Sequence, residues 1–180
     1  MRINRIYISL MRGSAPLFAA MLSAVLACQH AQAAVIGSPM LRDGIEIVPA
    51  ALNGVEVDRV TLKGADAVWL AADVHATKDG QHGFAEHAFI PYLSISFVLT
   101  KDDAPTFKKA GLLFALAARD GPRYAAATDM AGPGTYHLTY IVSPPSARGM
   151  VRRTDKADGV PEWFKPITAS WTFNYPMSAK

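Results

Sequence analysis

The sequence predicts an all-β domain, built as a single immunoglobulin-like β-sandwich of about seven or more strands. Short apolar stretches recur between turn signals along the chain, at a spacing typical of such sandwiches. Helical signals are weak, because proline occurs throughout and no long stretch keeps a 3.6-residue period with caps. One domain with one sizeable core is therefore expected.

The stretches expected to form strands are, in chain order, 44–52, 55–62, 67–76, 92–100, 107–118, 135–142 and 167–175. The last of them, ITASWTFNY, has an apolar residue at every second position, which is the period of a strand with one buried face. Asn53-Gly54, between the first two stretches, is a strong hairpin signal. The longer loops are expected at 77–91, 119–134 and 143–166, and loops of such length are often functional.

The first 33 residues are typical of an export signal. A basic n-region contains Arg2, Arg5 and Arg12, and residues 15–27 are apolar. Ala31-Gln32-Ala33 fits a cleavage site, so we expect a mature domain over 34–180 in the periplasm. The apolar run of about 13 residues is too short for a membrane-spanning helix, which needs roughly 20.

Two alternatives to cleavage after Ala33 remain open. Val25-Leu26-Ala27-Cys28 resembles a lipoprotein box, and cleavage before Cys28 would leave a lipid anchor on the mature protein. The segment could also form a buried N-terminal helix. Cys28 is the only cysteine in the chain, so no disulfide can form within the domain.

The charge of the chain gives no sign of a nucleic-acid partner. The net charge of +3 arises from 18 basic and 15 acidic residues, and three of the arginines lie in the export signal. Without them the basic and acidic residues are equal in number, so no basic footprint for nucleic acid remains.

Motifs of hydrolases and nucleotide-binding enzymes are missing from the sequence, so no enzymatic activity is expected. There is no G-x-S-x-G, H-E-x-x-H, P-loop or G-x-G-x-x-G pattern. His82, Glu86 and His87 share one loop and could hold a divalent ion, although an ordinary solvated loop is the favoured explanation. His75 shares a strand face with Asp73 and is a further ligand candidate, although a structural histidine with satisfied hydrogen bonds is the favoured explanation.

Several motifs together resemble those of one protein family. They are ADVHA (72–76), IPYLSISFVL (90–99), DGPRYAA (120–126), GPGTYHLTYIVSPPSARGM (132–150), RRTD (152–155) and GVPEWFKPITASWTFNYP (159–176). The sequence is similar to the periplasmic iron-transport family, exported proteins and lipoproteins that act beside a high-affinity iron permease. The resemblance implies an immunoglobulin-like sandwich, usually a homodimer, with a copper-binding site and a role in iron uptake beside an inner-membrane permease or a redox partner.

The same resemblance implies metal ligands at positions where this sequence has none. Family motifs carry His-x-Glu before A-D-[IV]-H, a Met before D-G-P, then D-G-P-H-Y and H-R-H-T-D. The residues found at the five ligand positions are Trp69, Ala71, Leu116, Arg123 and Arg153, and Val151 replaces the other histidine of the last motif. Trp, Ala and Leu supply no usable lone pair, and Arg has no acceptor.

Two functions follow as expectations. The first is an accessory protein of periplasmic Fe²⁺ uptake that has lost the family copper site, with His75, His82 and His87 as the remaining ligand candidates. The second is a binding module without a metal, either a partner subunit of a metal-competent relative or an anion pocket. In the anion pocket, Arg123 and Arg153 would converge on a carboxylate or phosphate; the alternative is that each pairs with a local acid such as Asp120 or Asp155.

Overall fold

A computed structural model of the chain describes residues 32–58, 60, 64, 66–80 and 82–177. The described residues form nine strands: β1 (Gln32–Val35), β2 (Met40–Arg42), β3 (Ile45–Asn53), β4 (Ala67–Ala76), β5 (Ser94–Lys101), β6 (Lys108–Leu116), β7 (Arg123–Asp129), β8 (Gly134–Ser143) and β9 (Ile167–Tyr175). A 3-10 turn at Pro145–Arg148 is the helical element of this part of the chain. None of its helical structure has the length and apolar character needed to cross a membrane.

The strands form one curled antiparallel sheet, and this confirms the predicted all-β sandwich. Their order is β1-β3-β4-β7-β6-β5-β8-β9, with β2 beside β3. Strand β6 connects the two halves, because Phe114, Ala115 and Leu116 pair with β7 while the residues before them pair with β5. The sheet can therefore close over one core, as in a sandwich with two packed layers.

The core lies between the two halves of the curled sheet. Strand β5 alternates buried and partly exposed residues along its whole length, and β8 buries Tyr136, Leu138, Tyr140 and Val142 completely. Each fully buried Leu or Val side chain contributes about 1.5–3 kcal/mol through the hydrophobic effect. The Tyr140 hydroxyl donates a hydrogen bond to the Ala71 carbonyl at 3.1 Å, which ties β8 to β4 across the core.

The hairpin predicted at Asn53-Gly54 is not present among the residues that the structure describes. Gly54 does adopt a turn conformation, with φ at 67°, but the described residues of 55–62 contain only an isolated bridge between Val57 and Val60. Strand β3 pairs instead with β1 and β4. The reason is that β4, a nearly continuous apolar segment, matches β3 over eight register positions, whereas the sequence of 55–62 includes the charged residues Glu56 and Asp58.

One central strand lies inside a predicted loop. Strand β7 occupies part of 119–134 and pairs with β4 on one side and β6 on the other. Its sequence RYAAATD contains neither the β-branched run nor the clean alternation that marks a strand. Four of its residues in a row are buried, because a central strand packs on both faces and small alanines fit there.

The predicted export signal lies almost entirely outside the described residues. These begin at Gln32, so Cys28, the apolar stretch and Ala31 are not among them. The proposed domain boundary at Ala33 falls within β1, and the position of cleavage stays a prediction.

Candidate functional site

Four of the five positions where the resemblance implies metal ligands lie on the outer face of the first half of the sheet. On β4, Trp69 and Ala71 alternate with the core-facing Leu70 and Ala72. Ala71 lies opposite Ala125 of β7, which contributes to the same face. Together these side chains form a second buried cluster, which we call the outer cluster: Ala50, Leu52, Trp69, Ala71 and Ala125, with Val55, Val57 and Leu116 packed against it.

Three of the five implied ligand positions, Trp69, Ala71 and Leu116, therefore meet in one apolar cluster. Trp69 is 5% exposed, and its indole Nε1 is buried with no hydrogen-bond partner in the structure. An indole N–H is only a donor, so it cannot coordinate a cation. At these positions the outer cluster has apolar side chains packed together, where the resemblance implies side chains that coordinate a metal ion.

Arg123 occupies the fourth position as a buried cation between two carboxylates. It begins β7 opposite Leu116 of β6 and is only 8% exposed. Its Nη2 donates a 2.6 Å hydrogen bond to Asp120 Oδ2, while its Nε lies 3.5 Å from Asp73 Oδ1 without completing a hydrogen bond. The guanidinium is thus held by charges on two different segments of the chain.

Burial disfavours the charged form of the Asp73 carboxylate in this position. Burial raises its pKa above the ordinary value, the charges of Arg123 and His75 lower it, and the nearby Asp120 carboxylate raises it. Desolvation is the largest of these effects, so Arg123 compensates the buried charge only in part.

A cavity of about 310 Å³ adjoins Arg123 and Leu116. Its remaining wall includes Leu52 and Val55 of the outer cluster, together with the carboxylates of Glu56 and Asp120. A single guanidinium faces two carboxylates along this wall and Asp73 beside it, so the surroundings of Arg123 carry no excess of positive charge.

Arg153, the fifth implied position, is exposed and pairs with acids of its own loop. Its side chain is 61% exposed, its Nε hydrogen-bonds to Asp155, and its Nη2 lies 2.8 Å from Asp158 Oδ2. The hydrogen bond from Arg153 is the main reason why the pKa of Asp155 is lowered, followed by the one from the Asp158 amide. Each arginine thus has local carboxylate partners, and the convergence of Arg123 with Arg153 stays a prediction.

The three histidine candidates lie in separate surroundings. His75 of β4 lies across an isolated bridge from Phe89. The His82 Nε2 lies 2.9 Å from the Asp43 carbonyl, and its ring packs 5.4 Å from that of Phe164 between centroids. His87 is exposed, with its Nε2 3.6 Å from Glu86. No group of three or more His, Cys, Asp or Glu side chains that could hold a metal ion occurs in the part of the chain that the structure describes.

Sequence reasoning missed the Asp73–Arg123 contact. In the sequence, Asp73 is distinguished only by sharing a strand face with His75. The contact follows from the register of β4 and β7, in which Ala72 lies opposite Tyr124, so that Asp73 and Arg123 come next on the outer face. Because the sequence does not predict β7 as a strand, it cannot predict the register of β7 with β4.

Comparison with known proteins agrees with the motifs. Residues 30–176 match the model of a family described as Fe2+ transport protein. A UPF0423 protein of Brucella abortus is 40% identical over 152 residues, which cover 81% of this chain and 82% of the relative.

Solved structures show the same fold. The FetP protein of uropathogenic Escherichia coli superposes with a TM-score of 0.74 at 37% identity, covering 80% of this chain and 96% of FetP. The copper-reconstituted P19 protein of Campylobacter jejuni superposes with a TM-score of 0.75 at 33% identity, covering 83% and 99% of the two chains. The resemblance is confirmed, and the chain belongs to the Fe2+ transport protein family.

Proposed function

We propose that this protein is an exported accessory protein of Fe²⁺ uptake that acts in the periplasm without the copper site of its structural relatives. Family membership supports the iron-uptake role, and the similar FetP was isolated after expression in the periplasm. The observation that carries the second part is the composition of the site: three implied ligand positions belong to the apolar outer cluster, and the fourth is the salt-bridged Arg123.

The residues present do not fit a copper ion. The side chains of Trp69, Ala71 and Leu116 offer no lone pair, and a guanidinium has only donors. The nearby carboxylates of Asp73 and Asp120 are already engaged by Arg123.

The role that remains is one of contact rather than coordination. The protein would dock on a second copy of itself, forming a homodimer, and on an inner-membrane iron permease or a periplasmic redox protein. The loop that carries Arg153 also carries Val151, an apolar side chain that is 88% exposed. Single exposed apolar side chains are common on protein surfaces, so the docking role rests on the resemblance to the family and not on this residue.

The anion-binding alternative has less support. An incoming carboxylate or phosphate would compete with Asp73 and Asp120 for Arg123, and with Asp155 and Asp158 for Arg153. No observation favours a partner subunit of a metal-competent relative over a homodimer.

Copper titration of the purified mature protein tests the loss of the site. By calorimetry, we expect no binding at micromolar Cu²⁺. The quadruple variant Trp69→His, Ala71→Glu, Leu116→Met and Arg123→His restores the donors that the resemblance implies and should gain micromolar or tighter binding.

A matched control, His82→Ala with His87→Ala, removes the loop histidines and should behave as the parent does. Micromolar binding by the parent that this control abolishes would show a metal site at the histidines and contradict the proposal. Independently, deletion of the gene should lower Fe²⁺ uptake by cells, and the parent protein should restore it; unchanged uptake would exclude the accessory role.

A further inference from the structure

A second cavity, of about 370 Å³, lies apart from the outer cluster and from Arg123 and shares no lining residue with either. Its lining includes the rings of Phe89 and Tyr124, which are stacked with centroids 5.2 Å apart and planes 26° from parallel. The buried side chains of Leu93 and Leu113 add apolar surface. The cavity thus presents aromatic faces and aliphatic groups to whatever enters it.

The aromatic lining is held firmly by hydrogen bonds away from the ring faces. The Tyr124 hydroxyl donates to the Ile90 carbonyl at 2.9 Å and accepts from the Leu93 amide at 3.0 Å. Because this hydroxyl is satisfied within the protein, Tyr124 offers the cavity its ring and not its oxygen. A ligand would meet a preformed apolar surface here, as in most small-molecule sites.

Two further aromatic side chains line the cavity and are exposed to solvent. Phe114 is 65% exposed and Tyr92 is 58% exposed, so both rings are free to contact a ligand. Tyr92 has a backbone φ of 61°, a left-handed conformation that is rare for a bulky residue and concentrates at functional sites. The fold holds this ring beside the cavity in spite of the strain.

Arg148 supplies the single charge of the lining. It ends the 3-10 turn, is exposed, and has no ion-pair or hydrogen-bond partner in the described residues. Burial raises the pKa of Tyr124, and the charge of Arg148 acts in the opposite direction, which is consistent with a guanidinium near that ring. An unpaired guanidinium at an apolar cavity favours a ligand that joins a carboxylate to a hydrophobic body.

We propose that this cavity binds a small aromatic carboxylate, with its ring against Phe89 and Tyr124 and its carboxylate on Arg148. The volume falls within the range of small-molecule sites. Offset or tilted stacking suits the exposed aromatic faces, and a guanidinium can bind a carboxylate through two parallel hydrogen bonds. The site is independent of the accessory role proposed above and of any metal.

The test titrates the full mature protein with 2-naphthoate by calorimetry, with 2-naphthylmethanol as a neutral probe of the same shape. We expect naphthoate to bind, and Arg148→Gln to weaken its binding at least about tenfold while leaving the weaker binding of the alcohol unchanged. Arg119→Gln is the matched control, since Arg119 is an exposed arginine that does not line the cavity. This control should bind naphthoate as the parent does.

A second variant tests the location of the site without relying on charge. Ala115→Trp places a ring into the cavity from an exposed position on β6 and should abolish binding of both probes while the thermal unfolding midpoint stays that of the parent. The proposal is overturned if naphthoate does not bind at millimolar concentration, as would follow if a second copy of the chain covered the cavity. It is also overturned if Arg148→Gln has no more effect than Arg119→Gln, or if Ala115→Trp binds both probes normally.

Discussion

The Arg123 guanidinium faces the Asp73 carboxylate between neighbouring strands, with Arg123 Nε 3.5 Å from Asp73 Oδ1. Both groups lie on the outer face, where the resemblance implies a metal ion. The fixed positive charge of Arg123 stabilises a carboxylate that burial would otherwise disfavour. We therefore expect the fold to depend on Arg123 in a way that needs no metal.

Replacing Arg123 by leucine should lower the free energy of unfolding by about 3 kcal/mol at neutral pH. Removing one partner of a buried ion pair typically costs about 3–5 kcal/mol, and the lower end applies because the Asp73 side chain is 26% exposed. Asp120 adds little, since its side chain is 71% exposed. Urea unfolding followed by circular dichroism measures the change.

The control for that prediction is the double variant Arg123→Leu with Asp73→Asn, which removes the uncompensated charge. It should recover at least half of the loss, because an amide is far less costly to bury than an unpaired carboxylate. If the double variant is no more stable than Arg123→Leu, the loss arises from packing of the long arginine side chain and not from the ion pair.

The cost of Arg123→Leu should also depend on pH. Burial raises the pKa of Asp73, so between the unfolded and folded pKa values the native state binds more protons, and stability falls as pH rises through that window. Losing Arg123 raises the folded-state pKa of Asp73 further, so the pH range over which stability falls extends to higher pH. The stability gap between parent and variant should therefore shrink as pH falls from about 7 towards about 4. A gap that stays constant over this range would contradict the assignment of the loss to Asp73.

The strands that the sequence predicts well are those with a local pattern. Strand β4 and strand β9 begin and end where the apolar stretches do, because one is a long apolar segment and the other alternates cleanly. Strand β7 escapes prediction because its alanines have low strand propensity, and its conformation is set by distant partners on both sides. At Gly54 the opposite happens. The sequence predicts the local turn correctly, but the turn does not decide which strands pair.

The candidate site, too, could be predicted from the sequence only in part. The resemblance locates Trp69, Ala71 and Leu116, and the structure adds that they share one apolar cluster. Pairing of an arginine with an acid close in sequence could be anticipated, as for Arg153 with Asp155. The Asp73–Arg123 contact could not be anticipated, because it depends on the register of β7, a strand that the local sequence does not reveal.

Replacing Trp69 by phenylalanine should change the free energy of unfolding by less than about 1 kcal/mol. The variant loses buried apolar surface, but it also removes an indole N–H that has no partner, and such a group costs about 1–3 kcal/mol to bury. Urea unfolding compares it with Tyr140→Phe, which deletes a hydroxyl that is hydrogen-bonded to the Ala71 carbonyl and should lose about 1 kcal/mol. A loss of 3 kcal/mol or more in Trp69→Phe would indicate that the indole N–H is satisfied in solution.

The pairing of β1 bears on where the predicted export signal would be cleaved. Gln32, Ala33, Ala34 and Val35 all pair with β3, and Ala33 also lines the cavity beside Arg123. Cleavage after Ala33 would remove half of this strand, whereas cleavage before Cys28 keeps all of it. We therefore expect the exported protein to begin at a lipidated Cys28 and to fractionate with membranes, and Cys28→Ser to abolish the lipid. Intact-mass measurement decides between the two, because an unmodified N-terminus at Ala34 would show that the domain tolerates a shortened β1.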